Sequence, residues 1–68
     1  MNNTNPALTE RETDILRLLA QGQTSSRIAE QLSLSTETIR WYRKRMLAKF
    51  GAYNTAGMVR IAIENKII

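Results

Sequence analysis

The segment IAEQLSLSTETIRWYRKRMLAKF, residues 28–50, changes character in its middle. Ile28, Ala29 and Leu32 fall at helical spacing, "LSLS" interrupts the run, and Ser35 can then cap a longer segment with its own helical period. Two helices joined by a turn of about three residues, the second of them basic, make the helix-turn-helix arrangement. Its geometry demands a small residue where the helices approach most closely, and Ala29 stands there. Ile28, Leu32, Leu34 and Ile39 fall where apolar groups must close the wedge. Ser33 occupies a turn position where glycine is common; serine can serve if the backbone angles are less extreme.

Placed on a helix, residues 36–50 divide into two faces. Glu37, Arg40, Trp41, Lys44 and Ala48 share an arc of about 100° that points outward. Ile39, Tyr42, Met46 and Phe50 form the opposite, apolar stripe, which should pack on the first two helices. Arg45 and Lys49 lie beside the outward stripe, with Arg43 towards the other flank. A helix inserted in a major groove has this layout, with base-edge readers along the centre and phosphate contacts at the sides. The competing readings are an ordinary solvated face for Arg40 and Lys44, and a Trp41 folded back into the core.

Outward from this segment, Thr9 and Glu12 form a capping box that starts a helix of about 10–21, ended by Gly22. Thr24 or Ser25 caps a helix of about 25–32, Ser35 one of about 36–50 ended by Gly51, and Asn54 one of about 55–64. The expected fold is all-α, a four-helix domain over 8–68, with residues 1–7 a linker or disordered terminus.

The chain has 68 residues, 43% apolar and 24% charged, which allows one small folded domain and argues against disorder. Arg40, Arg43, Lys44, Arg45 and Lys49 against Glu37 account for its whole net charge of +4, because the other charges cancel. So focused a basic patch is the electrostatic footprint of a polyanion partner. Without cysteine or histidine, the chain has no disulfide, thiolate or imidazole and almost no route to a zinc site. We therefore expect no enzyme activity, metal or cofactor. The absence of a long apolar run predicts no membrane association and a cytoplasmic location.

"LTERETDILRLLAQG" resembles the opening of the LuxR/GerE-type helix-turn-helix domain, L-T-x-R-E followed by an apolar helix and A-x-G. "IAEQLSLSTETIR" is similar to that family's I-A-x-x-L-x-I-S-x-x-T-V-K block, and "MLAKFGAYN" to its I-x-x-K-L-x-x-x-N ending. The resemblance runs from residue 8 to about residue 68. It implies a third helix in the major groove and a fourth that dimerises, here through Met58, Val59, Ala62 and Ile63. It also implies base contacts by Arg40, Trp41 and Lys44, and phosphate contacts by Thr24, Ser35, Thr38 and Lys49. Arg40 stands where the family usually has lysine, Trp41 where it usually has a smaller residue, Tyr42 where histidine is common, and Thr55 where arginine is frequent.

The function expected is therefore sequence-specific binding of double-stranded DNA by a bacterial transcriptional regulator, as a homodimer. Two alternatives share the same residues. One is a promoter-reading domain of a sigma factor, whose partner would be RNA polymerase. The other is a protein-interaction module presenting the Trp41 stripe to an acidic partner.

Overall fold

The structure, a computed structural model, describes residues 6–68. Its elements are α1 (Glu10–Ala20), α2 (Ser25–Leu32), α3 (Thr36–Phe50) and α4 (Thr55–Glu64), with no strand among the described residues. These are the four helices expected, α1 stopping one residue early, which is within ordinary fraying. Pro6 and Ala7 are non-helical; the rest of the expected 1–7 linker lies outside the described residues.

Each helix begins with the same chemistry. Thr9, Thr24, Ser35 and Asn54 accept through their side-chain oxygens from the backbone N–H groups of Glu12, Arg27, Thr38 and Gly57, at 3.1, 3.1, 3.0 and 2.8 Å. Each such cap contributes about 1 kcal/mol by satisfying an N–H that has no partner within the helix.

The helices also end alike, on a left-handed residue: Gly22 (φ 86°), Ser33 (φ 57°), Gly51 (φ 64°) and Lys66 (φ 57°). The next N–H then turns back to a carbonyl of the last turn, with Gln23, Leu34, Ala52 and Ile67 reaching Leu18, Ala29, Leu47 and Ala62 at 3.1, 2.9, 3.0 and 2.8 Å. Ser33 corrects the expectation of milder angles, since at φ 57°, ψ 43° it takes the left-handed conformation outright. Its Cβ makes that conformation costly.

The core is built by Ile15, Leu16 and Leu19 from α1, Ile28 and Ala29 from α2, Ile39 and Met46 from α3, and Met58 and Ala62 from α4. α3 packs against all three other helices, whereas α2 and α4 do not meet. With Ile39 and Met46 fully buried on its inward side, α3 presents its outward stripe and the residues that flank it to another molecule. α4 corrects an expectation. Met58 and Ala62 are 0% exposed, so they hold the monomer together and cannot face a partner. Val59 and Ile61 are half-buried, and Ile63, 57% exposed, is the large apolar residue that α4 presents to solvent, beside the exposed Ala56.

Candidate nucleic-acid interface

On α3 the two stripes separate as the spacing predicts. Ile39 and Met46 are fully buried, while Tyr42 and Phe50 are half-buried against the same core. Arg40, Lys44 and Ala48 are exposed, and Glu37, Arg40, Trp41 and Lys44 line one shallow depression. Trp41 is 56% exposed, so it does not fold back into the core. Its ring meets Tyr42 edge-on, with centroids 5.0 Å apart and planes at 77°. The Arg45 guanidinium lies 5.5 Å from the Trp41 ring centre, a cation–π contact worth about 0.5–1 kcal/mol at an exposed site.

Arg45 and Lys49 have a second partner that the sequence reading did not foresee. Arg45 Nε donates to Glu12 Oε2 at 3.0 Å, and Lys49 Nζ donates to Glu12 Oε1 at 2.8 Å and to the Ala7 carbonyl at 3.0 Å. Glu12 is 1% exposed and also accepts the Thr9 N–H at 3.0 Å, completing the capping box. Burial pushes its carboxyl up. Hydrogen bonds from Lys49, the Thr9 backbone and Arg45, with the charge of Lys49, outweigh that and hold it at about 2.

The ammonium of Lys49, expected beside the stripe as a phosphate contact, is held by the buried Glu12 carboxylate and the Ala7 carbonyl. Arg45 uses Nε alone for Glu12, so the two NH₂ groups of its half-exposed side chain can still serve a phosphate. Arg43 crosses to α2, donating to Ser25 Oγ at 3.1 Å, and so ties the two helices of the motif together.

The three hydroxyl residues singled out in the sequence sit at helix entrances. Thr24 begins α2, and Ser35 and Thr38 stand together at the start of α3, their oxygens 2.8 Å apart. Each cap oxygen accepts from the helix, which leaves its proton to donate. Thr24 retains one hydroxyl hydrogen, and the Ser35–Thr38 pair retains one after bonding internally. The partial positive charge of the helix N-termini favours an anion at both places.

Glu12 was read from the sequence only as part of the capping box; its burial was missed, and the signal for it was present. Glu12, Ile15, Leu16 and Leu19 follow one another at the spacing of a core-facing helical stripe, so its carboxylate had to be buried and therefore paired.

The GerE pattern of bacterial regulatory proteins of the luxR family matches residues 6–62. The transcriptional regulatory protein MctR of Rhizobium johnstonii is 39% identical over 61 residues, 90% of this chain and 28% of that protein. The response regulator UvrY of Escherichia coli is 36% identical over 59 residues, 87% of this chain and 27% of that protein. Among solved structures, a Vibrio cholera VqmA–ligand–DNA complex superimposes with a TM-score of 0.83 at 28% identity, covering 96% of this chain and 28% of that one. The chain therefore spans less than a third of the length of these relatives. With the pattern running from Pro6 to Ala62, inside α4, the chain belongs to the luxR family of bacterial regulatory proteins.

Proposed function

We propose that this domain binds double-stranded DNA sequence-specifically, with α3 in the major groove, as the DNA-reading part of a bacterial transcriptional regulator. The observation that carries the reading is the single outward stripe of Arg40, Trp41 and Lys44 on the helix that holds the whole net charge. Arg40 suits bidentate donation to guanine O6 and N7, and Lys44 suits a purine acceptor one turn further on. Thr24, Ser35 and Thr38 donate to phosphates from the helix entrances, and Arg45 does so through its terminal nitrogens. Lys49 adds its charge from the position Glu12 imposes. The DNA held by VqmA in the matching structure supports the same role here.

A homodimer is part of the proposal, with Val59 and Ile63 the two of the four expected α4 residues that keep surface open to a second copy. The test is selection of binding sites from random duplex DNA, followed by titration of the selected duplex at several salt concentrations. One enriched sequence is expected, with affinity falling steeply as salt rises. No enrichment, together with a Kd weaker than ~10⁻⁴ M for every duplex at physiological salt, overturns the reading.

A further inference from the structure

Arg45 touches both the most buried charge in the domain and the most distinctive residue on its surface. Its Nε donates to Glu12 at 3.0 Å, and its guanidinium lies 5.5 Å from the centre of the Trp41 ring. The anchor behind it is firm, because Glu12 is 1% exposed and its other oxygen is bound by both the Thr9 N–H and Lys49. Tyr42 bounds the same indole nearly at right angles. Although 56% exposed, the Trp41 ring is therefore held by neighbours that are themselves tied to the core.

What such a ring can read follows from groove chemistry. Along the floor of the major groove, bases present N7, O6, O4, N6 and N4, and one apolar group, the C5-methyl of thymine. An indole offers a single N–H donor on an otherwise apolar body. Laid over polar base edges it strips them of water without replacing their hydrogen bonds; laid over a methyl it removes apolar surface from water. The flanking Arg40 and Lys44 supply the polar contacts that the indole cannot.

We infer that Trp41 reads the C5-methyl of a thymine, and that Arg45, anchored on Glu12, is the positioning residue that holds the indole for that contact. This rests on the DNA-reading role proposed above. It also gives Arg45 a part in specificity, whereas a phosphate contact alone would affect all sequences equally.

The experiment uses the duplex recovered by selection, remade with each thymine in turn replaced by deoxyuridine, which removes the methyl and preserves pairing. At one position the wild-type domain should bind the deoxyuridine duplex roughly fourfold more weakly, the value of one buried methyl-sized group. Trp41→Ala should bring that ratio to about one. Arg45→Gln keeps a donor for Glu12 but removes the cation, and should lower the ratio. Arg45→Lys should recover most of it, because an ammonium can also stand over the indole. Loss of a phosphate contact would weaken both duplexes together and leave the ratio unmoved. In the free protein, the fluorescence of Trp41, the sole tryptophan, should be quenched more readily by acrylamide in Arg45→Gln than in wild type.

A wild-type ratio of one at every thymine, or a ratio that survives Trp41→Ala, overturns the methyl contact while DNA binding stands. A ratio and a quenching unchanged in Arg45→Gln overturn the positioning role. Failure to recover any duplex overturns both this inference and the function on which it rests.

Discussion

Glu12 on α1 and Lys49 on α3, 37 positions apart in sequence, meet at 2.8 Å with the carboxylate almost wholly buried. The same carboxylate takes Arg45 at 3.0 Å through its other oxygen and closes the cap of α1. One side chain therefore starts the first helix and fixes the outer half of the third. A buried ion pair is weak evidence of net stability, because desolvation opposes the attraction, but removing one partner is strongly destabilising. The pairing aims α3, and its loss should appear in stability first.

Acid titration should expose this pairing. Glu12 is held at about 2 in the folded domain, below the ordinary glutamate value of 4.5. A lowered folded-state value contributes stability that is complete above the unfolded value and is lost as pH falls through the folded one. The window therefore runs from about pH 4.5 down to about pH 2. The contribution at neutral pH is on the order of 3 kcal/mol. Urea midpoints measured across this window should fall steeply for wild type. Glu12→Gln, which preserves the capping pattern, should be weaker at neutral pH and much flatter in acid. Equal acid slopes in the two proteins would place the acid sensitivity elsewhere.

Ser33 is a second point where stability can be moved by one side chain. It holds φ 57° at the end of α2, is exposed, and its conformation serves the bond from the Leu34 N–H to Ala29. Ser33→Gly removes the steric cost of the left-handed region, about 1–2 kcal/mol, and adds the entropy cost of glycine, about 0.5–1 kcal/mol. A net gain of about 0.5–1 kcal/mol is expected, which in a domain of this size raises Tm by roughly 2–8 °C. A lower Tm would show that the serine hydroxyl does something in the turn that the backbone geometry does not reveal.

These cases show what was legible. Thr9, Thr24, Ser35 and Asn54 each act on an N–H three residues ahead, so cap chemistry is local; spacing placed three of these caps outright and left the second between Thr24 and Ser25. Helical phase likewise separates Arg40, Trp41 and Lys44 from Ile39 and Met46 without knowledge of the neighbours. The partners of Arg45 and Lys49 depend on which helix lies alongside, and no local rule names a carboxylate 33 or 37 positions away. In α4 the apolar residues Ala56, Met58, Val59, Ile61, Ala62 and Ile63 occupy most of the circumference, so periodicity could not tell a core face from a partner face.

Burial now separates the residues of α4. Met58 has no exposed surface, so Met58→Ala should cost about 2–5 kcal/mol, comparable to the whole stability of a small domain, and leave the chain largely unfolded at 37 °C by circular dichroism. Ile63 is 57% exposed, and Ile63→Lys should change monomer stability by less than about 0.5 kcal/mol. If α4 is the dimer face, the same substitution should weaken self-association in sedimentation equilibrium. An unfolded Ile63→Lys variant, or a stable Met58→Ala variant, would contradict the packing described here.

The two lysines of α3 should behave differently on DNA. Lys44 is exposed on the outward stripe, whereas the Lys49 ammonium is engaged by Glu12 and the Ala7 carbonyl. Lys44→Ala should leave the fold intact, relax the preference at one base pair and cost about 1–3 kcal/mol on the selected site. Lys49→Ala should lower the melting temperature, because it leaves Glu12 with Arg45 as its only cationic partner among the described residues. At temperatures where it remains folded, it should weaken all duplexes alike without changing the ranking of sequences. If Thr24 holds a phosphate as proposed, Thr24→Val should leave the sequence ranking unchanged and weaken every duplex alike. Should Lys49→Ala alter the base preference as strongly as Lys44→Ala, then α3 enters the groove rotated from the face assigned to it, and the centre of the reading stripe lies nearer Arg45 than Lys44.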